Sequence, residues 1–103
     1  MEKNFIGQAT PEQIAEWKKK YGEIVSFEVE NHVGYFKHAD RNTLSLAANK
    51  LKSSGITAYA EVIFENCFIG GSDEIQKDDR LFFGFTDVCD ELFAKKKGTL
   101  KAL

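Results

Sequence analysis

No run of apolar residues here approaches the roughly 20 that a membrane span needs, and the opening Met1-Glu2-Lys3-Asn4 is polar where a signal peptide would be greasy. A cytoplasmic protein with no membrane partner is the expectation. There is no basic excess either: 14 Lys and Arg stand against 16 Asp and Glu, a formal net charge of −2, which leaves little electrostatic stake in nucleic acid. Trp17, Tyr21, Phe27, Tyr35 and Phe36 would form a base-stacking platform only with basic neighbours, and those are missing. Cysteine is scarce. Neither Cys67 nor Cys89 has a second thiol or a histidine at metal-ligand spacing, so reduced, buried thiols are expected and no metal or cofactor is. Gly70-Gly71 stands alone after a predicted helix, which is not the strand-loop-helix setting of a phosphate loop. The carboxylates Asp73, Glu74, Asp78 and Asp79 lack the alternating ligand spacing of a calcium loop and read as a solvated elbow. A thiol nucleophile at Cys67, with His32 or His38 as its base, is disfavoured because a helix C-terminus raises a thiol pKa. Both histidines are expected at the surface.

What the chain does have is apolar pattern. With 43% hydrophobic residues in 103, one domain can bury a core without staples. Nine phenylalanines would overfill a core of that size, so some are expected to serve as surface contacts. The richest stretch is Ile56 to Phe93. Tyr59, Val62, Ile63 and Asn66 follow helical spacing, as do Leu81, Phe82, Phe85, Val88, Cys89 and Leu92. Gly70-Gly71 is predicted to divide these two helices, giving a helical hairpin with an acidic elbow. Within the elbow, residues 72–77 suggest a brief helical turn, with Asp78 or Asp79 capping a last helix that runs to Lys97. Gly84 inside that helix costs about 1 kcal/mol against alanine, which predicts a close helix crossing or a kink.

Ahead of this stretch, residues 1–9 read as a flexible arm carrying Phe5-Ile6 as a docking pair. Thr10-Pro11-Glu12-Gln13 reads as a capping box that starts a helix, whose stripe is Ile14, Trp17 and Tyr21 and whose stop is Gly22. Val25, Phe27 and Val29 then alternate with polar residues as a half-buried strand, Asn31-His32 makes the turn, and Val33 to Lys37 returns as a hairpin. Two strands are marginal alone, so the hairpin either lies on the helices or extends into a sheet with a second copy, a possible homo-oligomer. Asp40 caps a helix with Leu44, Ala47, Ala48 and Leu51 on its apolar face; Ser53-Ser54-Gly55 ends it and Thr57 caps the next. Lys18-Lys19-Lys20 and Lys95-Lys96-Lys97 both complement predicted helix C-termini. The fold class expected is α+β: an N-terminal helix, a β-hairpin, then three to four α-helices packed on it. Residues 10–97 form its single globular domain and 98–103 a flexible tail.

A family likeness rests on Thr10-Pro11-Glu12-Gln13-Ile14 with Lys20-Tyr21-Gly22, on Tyr35-Phe36-Lys37 leading to Asp40-Arg41-Asn42-Thr43-Leu44-Ser45, and above all on Glu65-Asn66-Cys67-Phe68-Ile69-Gly70-Gly71 followed by Asp78-Asp79. In these residues the chain resembles the small tail assembly chaperones of long-tailed bacteriophages and prophages. It departs from them at His38-Ala39, where they carry a basic residue and proline, and over Ser53 to Ala58, where they are more charged. The resemblance implies a non-enzymatic role: coating the helical, aggregation-prone tape measure protein until tail tube protein subunits polymerise around it. It also implies that a longer frameshifted product can exist, since Lys95-Lys96-Lys97-Gly98 suits a run of adenines. Partner contacts are expected at the exposed members of Phe64, Phe68, Phe82, Phe83 and Phe85. The rival from another class is a small cytosolic adaptor or antitoxin-like module whose hairpin edge pairs with a partner strand.

Overall fold

The computed structural model describes residues 4–103, so the first three residues of the predicted arm lie outside it. Helix α1 (Pro11–Tyr21) starts where local chemistry dictates. The Thr10 hydroxyl accepts from the Gln13 amide, the Gln13 side chain accepts from the Thr10 amide, and Pro11 sits at the first position, where no amide is missed. Gly22, at φ 81°, closes it by donating to the Lys18 carbonyl. Strands β1 (Ile24–Val29) and β2 (His32–Lys37) form the hairpin, but the turn is Glu30-Asn31, one residue earlier than expected, and Glu30 rather than Asn31 takes the positive φ, 53°. The shift pairs Val29 with His32 and Val25 with Phe36, and being a two-residue change of register it leaves Val25, Phe27 and Val29 on one face with Phe36.

Helix α2 (Arg41–Ser54) is capped by Asp40, whose carboxylate accepts from both the amide and the hydroxyl of Thr43 and is thereby held below the ordinary carboxylate pKa. Gly55, at φ 92°, ends α2 and directly precedes α3 (Ile56–Cys67), so Thr57 lies inside α3 and is not its cap. The face of α3 turned inward is Ala60, Ile63, Phe64 and Cys67. Tyr59 and Val62 flank it, whereas Asn66 is exposed and bonds back to the Val62 carbonyl.

The double glycine is the largest departure from the helical-hairpin expectation. Phe68–Gly71 is a third strand, β3, antiparallel to β2, so the sheet order is β1-β2-β3 with an irregularity between Tyr35 and Phe36. Both glycines are needed for close approach. A Cβ on Gly70 would stand 2.5 Å from the Trp17 ring, and one on Gly71 would stand 2.6 Å from the Val33 carbonyl oxygen. Residues 5–7 extend the β3 line: the Ile6 amide donates to the Asn31 carbonyl and the Val33 amide donates to the Ile6 carbonyl. A short α4 (Glu74–Lys77) buries Ile75, and Asp78 caps α5 (Asp79–Val88) through the Arg80 and Leu81 amides. Helix α5 stops at Val88 and passes into a 3-10 turn over Cys89–Leu92. Lys95-Lys96-Lys97 therefore falls beyond the helix, in an exposed stretch without regular structure. At Gly84 the close neighbours are Val29 and Phe27 of β1, so the glycine admits a helix-to-strand contact where a helix crossing or kink was expected.

The sheet thus separates two packings. On one face Trp17 of α1 lies against Tyr35, centroids 5.2 Å apart, and over Gly70. On the other, Phe27, Phe36, Phe64, Phe68, Phe82 and Phe85 interlock, with Phe36 stacked on Phe85 at 5.1 Å and set edge-on to Phe64 at 5.3 Å. Such pairs contribute about 0.5–1.5 kcal/mol each beyond area burial. This cluster, joined by Ile63, Ile75, Cys67, Cys89 and Leu92, is the core. The α+β class expected from the sequence is the one observed, with a third strand added.

Candidate functional site

The phenylalanines expected at a partner surface separate sharply. Phe64, Phe82 and Phe85 are core residues, at most 4% exposed, and cannot touch a partner in this fold. Phe68 is half-buried, stacked on Phe64 at 4.8 Å. Phe83, at 57%, is exposed. Helical period explains the split, because Phe82 and Phe85 are three apart on the inward face of α5 while Phe83 points a further 100° round.

The larger apolar surface lies on α2. Leu44 and Leu51, two turns apart on one stripe with the exposed Ala48 between them, are each nearly half exposed; Leu46 on another side and Ile56 at the corner with α3 are likewise open. The sequence assigns Leu44 and Leu51 to the buried face, yet α2 turns inward only Thr43 and Ala47. Two small residues at i and i+4 let the helix backbone come close to its neighbours, and close approach along that line rotates the leucines to the flank. The signal in the sequence was Thr43 itself, held by the Asp40 cap and so committed to the inner side.

Reactive groups are placed differently. Burial pushes the thiols of Cys67 and Cys89 up to about 11; both are free and buried, and neither histidine bonds to them. The histidines are half-buried ties. His32 Nδ1 lies 2.8 Å from Ser72 Oγ, joining the hairpin to the end of β3, and Ser72 is itself 5% exposed and donates its amide to the Val33 carbonyl. His38 bridges the Leu92 carbonyl, at 3.2 Å, and Glu23. No carboxylate is within hydrogen-bond distance of the His32–Ser72 pair among the described residues. Nor is any group of three or more His, Cys, Asp or Glu gathered there in a way that would hold a metal ion. No helix of the described residues is long and apolar enough to cross a membrane.

No family model matches the chain, and no curated protein matches it. It is similar in structure to the uncharacterised protein rbstp2171 from Bacillus stearothermophilus, with a TM-score of 0.53 and 20% identity over 85% of this chain and 99% of that one. At that identity the likeness is one of fold.

Proposed function

We propose that this chain is a non-enzymatic, cytoplasmic protein that holds another polypeptide, and that it acts as a tail assembly chaperone shielding the tape measure protein until tail tube subunits close around it. The observation that carries this reading is the Leu44-Ala48-Leu51 stripe on α2, open to solvent beside a closely packed aromatic core. Positions four and seven apart span about 10 Å of helix, enough to meet two turns of an apolar stripe on a helical client. Covering a half-exposed leucine recovers about 1–2 kcal/mol, so the stripe can hold a client without binding it permanently. The buried, unreactive thiols and the histidines tied into the scaffold sit easily with a holding role.

Copurification with fragments of the tape measure protein encoded nearby tests the proposal. The wild-type chain is expected to retain at least one helical fragment in solution, and Leu44→Asp with Leu51→Asp to lose it while still folding. Failure with every fragment overturns the reading. Gene order is a second check: a tail tube gene upstream and a very long coiled-coil-rich gene downstream support the chaperone, and their absence favours the adaptor or antitoxin-like module.

A further inference from the structure

β1 is the outer strand, since the sheet runs β1-β2-β3 and the far side of β2 is taken by β3 and by Ile6. The hairpin closes on the Val29–His32 pair, so Val25, Phe27 and Val29 exchange backbone hydrogen bonds with β2, and Ile24, Ser26 and Glu28 turn their N–H and C=O groups outward. Val33 fixes this phase: it lies opposite Glu28, yet its amide and carbonyl bond to Ile6 and Ser72 on the other side. Beside the open edge runs a groove of about 330 Å³, walled by Val25 and Phe27 of β1, Phe85 and Val88 of α5, and Leu92. Glu91 also lines it and no lysine or arginine does among the described residues, while the Glu28 side chain stands on the other face of the strand. β1 has no proline, lysine or bulge to discourage pairing.

We propose that this edge and groove receive an extended segment in which apolar and basic residues alternate, added to the sheet as a fourth strand. Every second side chain of such a segment enters the groove beside Val25 and Phe27. The intervening ones stand beside Glu28, on the opposite face of β1. A second copy of β1 fits less well, because it would bring its own Glu23, Glu28 and Glu30 to a seam that is already acidic. The surface is separate from the α2 stripe, and the inference stands whether or not that stripe holds a client.

The test is a titration of the isotope-labelled full chain with a peptide of about ten residues alternating valine and lysine, long enough to cover β1. The amide resonances of Ile24, Ser26 and Glu28 are expected to shift, and E28K to weaken binding several-fold while melting with the wild type. Should that variant fail to fold, Glu28→Gln gives the same readout from a milder change. A peptide with its two central residues both replaced by proline is expected not to bind, since one of the two lost N–H groups faces the ladder whatever the register. Unmoved amides, equal binding by the proline peptide or by a valine-glutamate peptide, or undiminished binding to the charge variants each overturn the proposal. So does a concentration-dependent dimer that protects the same amides, which would assign the edge to a second copy.

Discussion

Helices α2 and α5 carry apolar stripes of similar length, and the fold treats them in opposite ways. In α5 the stripe faces β1, β2 and α3: Phe82 and Phe85 vanish into the aromatic core and Leu81 is buried. In α2 the contact is made by Thr43 and Ala47, and the leucines beside them stay at the surface. Periodicity says that a helix has an apolar side; which side is used depends on how closely its neighbours approach. Large side chains fill the space between α5 and the sheet, and Gly84 admits Val29 and Phe27 of β1. Small ones allow α2 to lie close, which leaves its leucines available.

The contrast has measurable consequences. Phe85→Ala is expected to cost about 3–5 kcal/mol in urea unfolding, by removing a ring that stacks on Phe36 and meets Phe64 edge-on, whereas Leu44→Ala or Leu51→Ala costs under about 1 kcal/mol. Equal costs would mean that the α2 stripe belongs to the core. Gly70→Ala is expected to cost about 1–3 kcal/mol and to alter Trp17 fluorescence, because its methyl group meets the indole. An unchanged spectrum would show that Trp17 does not cover β3.

A smaller effect comes from the two thiols buried in the core. Their folded pKa of about 11 lies above the ordinary 9.0, so the fold prefers the neutral form. That contribution is complete below pH 9 and is lost as pH rises towards 11, at up to about 2 kcal/mol per thiol. Urea midpoints measured from pH 8 to 11 should fall, and Cys67→Ala with Cys89→Ala should flatten the decline. Thr10→Ala, at the cap of α1, is expected to cost about 1 kcal/mol by the same assay. The smallest change in stability, within about 0.5 kcal/mol, is expected for Phe83→Ser, whose side chain is mostly in water.

Much of this fold is legible from neighbours in the chain. The Thr10 capping box, the Asp40 and Asp78 caps, the glycine stops after Tyr21 and Ser54, and the alternation of β1 all concern groups within four residues of one another. The positions misread are those governed by distant partners. Gly70-Gly71 looks like a break between helices until the free side of β2 and the Trp17 ring are in place; only then do two missing side chains make a strand. Asn31-His32 looks like the turn, yet His32 pairs with Val29 inside the sheet and Glu30-Asn31 makes the turn. Lys95-Lys96-Lys97 looks like a helix end, but the chain leaves α5 earlier, as Cys89 and Leu92 turn into the core and the Leu92 carbonyl accepts from the Ala39 amide.

The candidate surface divides along the same line. Amino-acid order alone established that the chain has more apolar side chains than local pattern can place, that its thiols have no partners at ligand spacing, and that α1 and α2 start at side-chain caps and end at glycines. Only the tertiary structure decided which of those side chains water still reaches: the rings of Phe64, Phe82 and Phe85 are consumed by the sheet, and Leu44, Leu51 and the outer edge of β1 are left over. The physical reason is range. Hydrogen-bonded caps act over a single turn, whereas burial is settled by elements many residues apart that meet only after the chain has folded.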